Sequence, residues 1–290
     1  MNYKTIIEPF IVKMVEPIRM TDKEERVKLL KKAKHNLFLL KAEDVIIDLL
    51  TDSGTAAMSA QQWSGIMIGD ESYAGAKSWK KMESTIKDLT GYRHVLPTHQ
   101  GRAAERILYG CIGGKGKIFI SNTHFDTTRA NIEFSNAEAI DCPIEIGKKP
   151  SSKHPFKGNM NISKLISIIN KKGKENIAAV ILTVTNNSGG GQPVSMKNTK
   201  EVSRVCKKYN IPLIIDACRI AENAYFIKQR EKEYQKFTYK KIAQKMFDLA
   251  DGCTMSAKKD GIVNMGGFLA LNSDKLTEKC RNELIITEGF

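Results

Sequence analysis

From about residue 80 onward, short apolar runs alternate with segments that carry apolar residues at helical spacing. The runs at 117–120, 179–184 and 212–215 are almost wholly apolar, which is typical of strands buried on both faces. Around them, apolar residues recur in three- and four-residue steps at 104–111, 162–169, 202–209 and 242–249. Because such strands need helices on both faces, the alternation predicts an α/β fold with a mostly parallel sheet flanked by helices.

Helix and loop signals support this division. Gly173 follows one helical segment as a stop signal, and Thr238 precedes another as a candidate N-cap. The stretch 147–158 contains two prolines and four lysines and predicts a surface loop. Residues 1–50 differ, because prolines interrupt the opening, a helical pattern runs from about Lys23 to Lys34, and an apolar segment reaches Leu50. We expect this part to pack onto another domain.

Composition excludes several classes of protein. With 290 residues, 41% of them hydrophobic and 27% charged, the chain has the balance of a globular protein rather than a disordered one. No apolar run approaches the roughly 18 residues that a membrane span needs, and the N-terminus lacks the pattern of a signal peptide. The six cysteines form no C-x-x-C pair, so we expect reduced thiols in a cytoplasmic protein, without a membrane partner.

The formal net charge of +14 raises the question of a nucleic-acid partner. The excess is mostly lysine and is spread along the chain, without an arginine-rich arm or interleaved aromatic residues that would stack bases. We therefore expect a solvated basic surface and no nucleic-acid partner.

Four polar segments are expected at the carboxyl ends of strands, the edge at which open α/β sheets bind ligands. They are 98–102 (THQGR), 185–188 (TNNS), 216–219 (DACR) and 256–260 (SAKKD). Asp216 directly follows an apolar run, and a buried acid needs a cation or hydrogen bonds. It is either a helix cap or ion pair, or a carboxylate that holds the protonated ring nitrogen of pyridoxal phosphate.

The other segments also allow two interpretations. The turn at Gly101 and Arg102 is either an ordinary strand-to-helix connection or a phosphate site at a helix N-terminus. Lys258 and Lys259 are either solvated, or one forms a Schiff base while the other contacts a phosphate. Taken together, the three segments suggest pyridoxal phosphate. The glycines at 189–191 lack the context of a dinucleotide site and predict a flexible turn beside a pocket.

Longer motifs make the sequence similar to the β-eliminating lyases, the family that contains tryptophanases and tyrosine phenol-lyases. The similarity extends from residues 8–10 (EPF) to residues 288–290 (EGF). Its most specific motifs are 47–55 (IDLLTDSGT), 69–75 (GDESYAG), 97–102 (PTHQGR), 191–195 (GQPVS), 222–228 (ENAYFIK) and 255–260 (MSAKKD).

The resemblance implies a pyridoxal phosphate enzyme of fold type I, like aspartate aminotransferase, that assembles as a homotetramer with sites shared between subunits. It implies Lys259 as the Schiff-base lysine, Asp216 as the partner of the pyridine nitrogen and Arg219 beside the ring hydroxyl. The residues implied in phosphate binding are Gln100, Gly101, Arg102, Ser256 and Lys258, together with Tyr73 from a neighbouring subunit.

The resemblance also implies the remaining contacts of the site. Phe125 is expected to stack on the cofactor ring. Thr51, Ser53 and Asn187 are expected to help place the amino-acid substrate. A potassium ion is expected to be held by Glu71 and by the carbonyl groups of Gly54 and Asn264.

The implied reaction is that of a carbon–carbon lyase, the β-elimination of L-tryptophan to indole, pyruvate and ammonia. Asp126 follows Phe125 at a position where tyrosine phenol-lyases carry threonine, and an acid suits an indole N–H, which only donates hydrogen bonds. The segment 229–234 (QREKEY) also resembles tryptophanases more closely. The alternative is a tyrosine phenol-lyase that releases phenol from L-tyrosine.

Members of the family continue beyond the position of Phe290, so we expect a chain truncated at its C-terminus that lacks the C-terminal small domain. Residues 1–50 would then form the N-terminal arm and part of the small domain, and residues 51–290 an incomplete large domain that binds pyridoxal phosphate. Because the implied substrate-carboxylate arginine belongs to the part not present here, a non-catalytic lyase fragment is a further alternative.

Overall fold

The computed structural model describes residues 17–53, 58–70 and 72–289, and the chain divides into two units, Met1–Thr51 and Asp52–Phe290. In the first unit, helix α1 (Lys23–Lys32) begins after Asp22, whose side chain accepts a hydrogen bond from the N–H of Glu25. Helix α1 ends two residues before the predicted Lys34, because Lys34 and the next residue adopt positive φ angles. Short 3₁₀ helices follow at Leu37–Leu39 and Ala42–Asp44. The assignment of this unit to an arm and a small domain stays a prediction.

The second unit contains a seven-stranded sheet with helices on both faces. Its strands are β1 (His94–Thr98), β2 (Ile118–Ser121), β3 (Glu138–Asp141), β4 (Ile177–Thr183), β5 (Leu213–Asp216), β6 (Gly252–Ser256) and β7 (Gly267–Leu271). Its α-helices are α2 (Ala60–Met67), α3 (Lys77–Thr90), α4 (Gly101–Ile112), α5 (Asp126–Phe134), α6 (Ile162–Lys172), α7 (Met196–Tyr209), α8 (Ile220–Arg230), α9 (Tyr239–Phe247) and α10 (Asp274–Thr287). Short 3₁₀ helices lie at Glu145–Lys148, Lys174–Asn176 and Lys232–Tyr234.

The strands are arranged in the order β1-β7-β6-β5-β4-β2-β3, and only the pairings of β7 with β1 and β6 are antiparallel. All other described pairings in this sheet are parallel, which confirms the prediction of a mostly parallel α/β sheet. Thr183 is paired with Asp216, and Asp216 with Thr254. The carboxyl ends of the three central strands therefore lie side by side.

Side chains from the central strands alternate between two hydrophobic cores, one on each face of the sheet. Leu213 and Ile215 contribute to one core, and Ile214 between them contributes to the other. Helices α6 to α9 supply the first core, while α4 and α10 supply the second. This burial on both faces explains why the strands are apolar without alternation.

Three buried asparagines extend the hydrogen-bonding pattern beyond the strands. The carboxamide of each asparagine makes two hydrogen bonds to the backbone of one residue: it accepts one from the N–H group and donates one to the C=O group. The pairs are Asn122 with Thr183, Asn198 with Met160, and Asn223 with Val194. Asn122 also donates to the C=O of Gly158, with 2.8 Å between the nitrogen and oxygen atoms. This carboxamide fixes the end of β2 against the end of β4.

We expect Asn122→Leu to lower the free energy of unfolding by about 3 kcal/mol, because the variant leaves three buried backbone groups without a partner. Urea denaturation of the cofactor-free protein measures the change. Asn170→Leu, at an exposed position, serves as the control and should change stability by less than about 0.5 kcal/mol. Equal unfolding midpoints for the two variants would contradict the role of Asn122.

The predicted surface loop at 147–158 is only partly correct. Residues 149–151 and 153–155 are exposed, but Phe156, Lys157 and Gly158 are buried. The ammonium group of Lys157 donates to the C=O groups of Lys149 and Pro150, so the loop folds back over its own lysine. None of the helices in the described ranges has the length and apolar character needed to cross a membrane.

Candidate functional site

A cleft lies at the carboxyl edge of the sheet. Four of the segments that line it lie at or just after the ends of the strands that position them: β1, β4, β5 and β6. The residues of these segments that line the cleft are Gln100, Gly101, Arg102, Thr185, Asn187, Asp216, Cys218, Arg219, Ser256, Lys258 and Lys259. The cleft thus brings together polar groups that are widely separated in sequence.

At one end of the cleft, the first turn of α4 packs tightly against β6 and β7. A Cβ atom on Gly101 would lie 2.6 Å from Cβ of Ser256, and one on Gly267 would lie 2.7 Å from the nitrogen of Gly101. Gln100 is the N-cap residue, but its side chain makes no capping hydrogen bond in the described structure. The positive end of the α4 dipole therefore faces the cleft, an arrangement that suits an anion.

Asp216 forms the floor of the cleft at the end of β5. Its side chain is buried, and its Oδ1 atom has no hydrogen-bond partner among the described residues. Burial raises the pKa of this carboxyl above its ordinary value, although hydrogen bonds from Cys218 and the positive charges of Lys259 and Arg219 oppose the shift. A buried carboxylate with one unpartnered oxygen is costly in isolation and suits a cationic donor.

Lys258 and Lys259 lie in the loop between β6 and β7, and both are half-buried. The next residue, Asp260, accepts hydrogen bonds from the N–H groups of Ala221 and Glu222, at 2.6 and 3.1 Å. Asp260 therefore provides the hydrogen-bond acceptor for the free N–H groups in the first turn of α8, a role that a local N-cap side chain usually has. This contact attaches the lysine loop to the helix that follows Arg219.

Arg219 forms a bidentate ion pair with Asp52. Its Nε and one terminal nitrogen each lie 2.8 Å from an oxygen of Asp52. Burial alone would raise the pKa of Asp52, but the contact with Arg219 outweighs that effect and lowers it. Ser53, the next residue, lines the cleft. The pair joins the segment at 52–53 to the end of β5.

The structure places the other predicted residues in different positions. Phe125 lines the cleft as the N-cap of α5, whereas Asp126 is exposed and is not among the lining residues. Tyr73 is 84% exposed, and Asn264 is exposed in the loop between β6 and β7. Thr51 is the last residue of the first unit. Gly54 and Glu71 lie outside the described residues.

The segment before Phe125 is fixed by a buried histidine. The backbone N–H of His124 donates to Oδ1 of Asp141, and Nδ1 of its ring lies 2.7 Å from the same oxygen. Arg129 contacts the other oxygen of Asp141 at 2.7 Å. Although burial opposes ionisation, these contacts lower the pKa of the Asp141 carboxyl to about 2.

Sequence patterns did not single out several residues of the cleft wall. Glu105 and Thr127 line it, as does Thr254. The run around Glu105 predicts an amphipathic helix, and an acid in such a run is expected on the solvent side. The available signal is that Glu105 lies one turn after Arg102, on the same face of α4 as the predicted phosphate turn.

Comparisons with known proteins agree with this arrangement. The family model described as "Beta-eliminating lyase" matches residues 48–290. The chain is 57% identical to a tryptophanase from Salinibacter ruber over 286 residues, which cover 99% of this chain and 60% of that protein. It is 49% identical to a tyrosine phenol-lyase from Clostridium tetani, over 98% of this chain and 62% of that protein. The chain thus spans about 60% of the length of these curated relatives.

A solved structure shares the fold at low sequence identity. It is a Listeria monocytogenes protein assigned as an L-allo-threonine aldolase, with a TM-score of 0.60 and 16% identity. The match covers 82% of this chain and 62% of that one. The structural neighbours confirm the predicted fold-type-I class.

Proposed function

Because this chain belongs to the beta-eliminating lyase family, we propose that it binds pyridoxal 5′-phosphate in the cleft and converts L-tryptophan to indole, pyruvate and ammonia. The observation that carries this proposal is the buried Asp216 carboxylate, whose unpartnered oxygen lies in a cleft that also contains two lysines and a helix N-terminus.

The floor of the cleft fits the cofactor ring. Oδ1 of Asp216 lacks a partner in the described structure, and a protonated ring nitrogen would supply the missing donor. Phe125, in the cleft wall, offers an aromatic face for stacking on the ring. Arg219, held by Asp52, would lie beside the ring hydroxyl.

The other end of the cleft fits the phosphate. Because Gly101 has no side chain, the first turn of α4 packs directly against Ser256 at the cleft wall. The first N–H groups of α4 would bind the phosphate there. Gln100, Arg102 and Lys258 would add side-chain contacts. Tyr73, which is exposed on this chain, would contribute to the site of a neighbouring subunit in a homotetramer.

When bound, pyridoxal phosphate supplies an electron sink for the negative charge that develops at the α-carbon of an amino acid. In the proposed reaction, Lys259 would hold the cofactor, and its amine would be the base that takes the proton from the α-carbon of the substrate. Asp216 would hold the proton on the ring nitrogen. Ser53 and Asn187 would orient the substrate so that its α-proton faces Lys259. The role expected for Thr51 stays a prediction.

The choice of L-tryptophan over L-tyrosine rests on Asp126, which would accept a hydrogen bond from the indole N–H, and on the higher identity to the tryptophanase relative. The alternative is elimination of phenol from L-tyrosine. A potassium ion held by Gly54, Glu71 and Asn264 completes the proposal, and no step of the reaction depends on it.

An absorption spectrum of the purified chain with pyridoxal phosphate tests the proposal. We expect a visible absorption band that disappears on treatment with borohydride as the cofactor becomes irreversibly attached to the protein, and release of indole when L-tryptophan is added. Release of phenol from L-tyrosine at a higher rate would favour the alternative substrate. A chain that gives no band at all would contradict the proposal and indicate a non-catalytic member of the family.

A further inference from the structure

A buried carboxylate in the cleft wall has no role in the proposed chemistry. Glu105 is 6% exposed and lies on α4, one turn after Arg102. Burial raises the pKa of its carboxyl to about 7, and the nearby negative charge of Asp216 acts in the same direction. A group of this kind is costly in the interior unless hydrogen bonds satisfy it.

Both oxygens of Glu105 accept hydrogen bonds from the first turn of α5. The hydroxyl of Thr127 donates to Oε2 at 2.8 Å, and the hydroxyl of Thr128 donates to Oε1. Thr128 is fully buried. One side chain on α4 thus holds two consecutive residues of α5.

The first turn of α5 receives little support from its own side chains. Phe125, the N-cap residue, makes no capping hydrogen bond in the described structure, and the Asp126 carboxylate accepts from the N–H of Thr127. A weaker contact between α4 and α5 comes from Asn131, whose amide donates to the C=O of Arg102 at 3.4 Å. Glu105 is therefore the stronger hydrogen-bonding connection between these two turns.

The chain on the other side of Phe125 is fixed independently. Asn122 is bonded to β4, and His124 is bonded to Asp141. Phe125 and Asp126 thus lie between one anchor formed by 122–124 and another formed by Glu105. Loss of Glu105 would release only the second anchor.

We propose that Glu105 is a positioning residue that holds Phe125 and Asp126 in place relative to the phosphate-binding turn at 100–102. The inference rests on the proposed function, since it assigns Phe125 to the cofactor ring and Asp126 to the leaving group. Glu105 itself touches neither group. It acts through the two threonine hydroxyls.

Three variants separate positioning from general stabilisation. Glu105→Ala removes both acceptors. Glu105→Gln keeps both contacts, because its carboxamide can accept from one hydroxyl and donate to the other, which threonine permits. Glu133→Ala removes an exposed carboxylate from α5 and serves as the control.

The first measurement is hydrogen exchange in the cofactor-free protein, which does not depend on the proposed function. In Glu105→Ala we expect amide exchange at residues 126–131 to accelerate at least about tenfold, which corresponds to about 1.4 kcal/mol of local opening. Exchange in α7 should stay within about twofold, and Glu105→Gln and Glu133→Ala should match the original protein. Unchanged exchange at 126–131, or equal acceleration in α7, would overturn the inference.

The second measurement uses the cofactor-loaded protein. We expect Glu105→Ala to change the visible circular dichroism of bound pyridoxal phosphate and to reduce turnover of L-tryptophan at least about tenfold, with recovery in Glu105→Gln. Elimination of chloride from β-chloro-L-alanine should fall less than about threefold, because chloride leaves without a proton from the protein. An equal loss with both substrates would overturn the positioning role. Failure of the original protein to bind the cofactor would instead contradict the proposed function and leave the exchange result intact.

Discussion

Lys259→Ala is expected to abolish the borohydride-dependent covalent attachment of pyridoxal phosphate and to reduce release of indole by at least about 10⁴-fold. The variant loses the amine that attaches the cofactor and the base that takes the α-proton, and a positioned general base alone contributes about 10²–10⁴-fold. Mass spectrometry of the borohydride-treated protein measures the attachment, and an indole assay measures the rate.

Lys258→Ala is the matched control, since Lys258 lines the same cleft and precedes Lys259 directly. This variant should keep the borohydride-dependent attachment of the cofactor and bind pyridoxal phosphate about 10- to 100-fold more weakly, the effect of one lost charge-assisted hydrogen bond. If the covalent attachment were lost in Lys258→Ala and persisted in Lys259→Ala, the roles of the two lysines would be exchanged.

Asp216→Asn is expected to lower turnover by at least about 100-fold while it stabilises the cofactor-free protein. The loss follows because a neutral amide does not keep the ring nitrogen protonated, and a hydrogen bond to a charged group is worth about 1.5–3 kcal/mol. The stabilisation follows because the variant removes a buried acid with an unpartnered oxygen. Indole release and thermal unfolding measure the two effects, and we expect the melting temperature to rise by about 2–4 °C.

The stabilisation should depend on pH in a defined direction. The pKa of Asp216 is raised in the folded chain, so the folded state binds its proton more tightly than the unfolded state does. The contribution of Asp216 to the stability of the cofactor-free protein is therefore greatest below the ordinary pKa of 3.8 and is lost as the pH rises through the raised pKa. The pKa of Glu105 is raised from 4.5 to about 7, so its contribution to stability is also lost as the pH rises. In Asp216→Asn, the part of this pH-dependent loss of stability that comes from Asp216 should be absent.

Asp251→Asn provides the control for Asp216→Asn. Asp251 lies at the opposite end of β5, where its Oδ2 atom accepts a hydrogen bond from the N–H of Leu213 at a nitrogen–oxygen distance of 2.8 Å. Its replacement should leave the absorption band and the turnover within about twofold. A melting temperature that fell in Asp216→Asn, together with unchanged turnover, would show that this carboxylate supports the fold and not the chemistry.

The parts of the fold that could be predicted are those in which one local pattern decides the structure. The runs that became β2, β4 and β5 are apolar because both faces of the sheet are covered, and α7 and α9 show the helical period clearly. Strands β1 and β7 could not be assigned in this way. Pro97 lies in β1, which is tolerated because β1 is at the edge of the sheet, a fact that depends on the whole strand order.

The candidate site shows the same limit. Gly101, Asp216 and Lys259 could be singled out because each follows a segment that ends at the edge of the sheet. Glu105 could not, because its burial arises from α5 packing against α4 and not from its neighbours in sequence. Asp260 likewise accepts hydrogen bonds from the first N–H groups of a helix that begins far from it in the chain. Interactions between distant segments decide both cases.

The position of β7 between β1 and β6 has a consequence for how the molecule is made. The turn at 100–101 leaves the ribosome early, but the backbone that packs against it, at Ser256 and Gly267, is synthesised much later. Until then β1 has no partner strand, and a nascent chain carries an unpaired strand edge. Closing such a distant contact is slow because the long intervening chain must first be ordered. The cleft therefore cannot form before residue 267 has been synthesised.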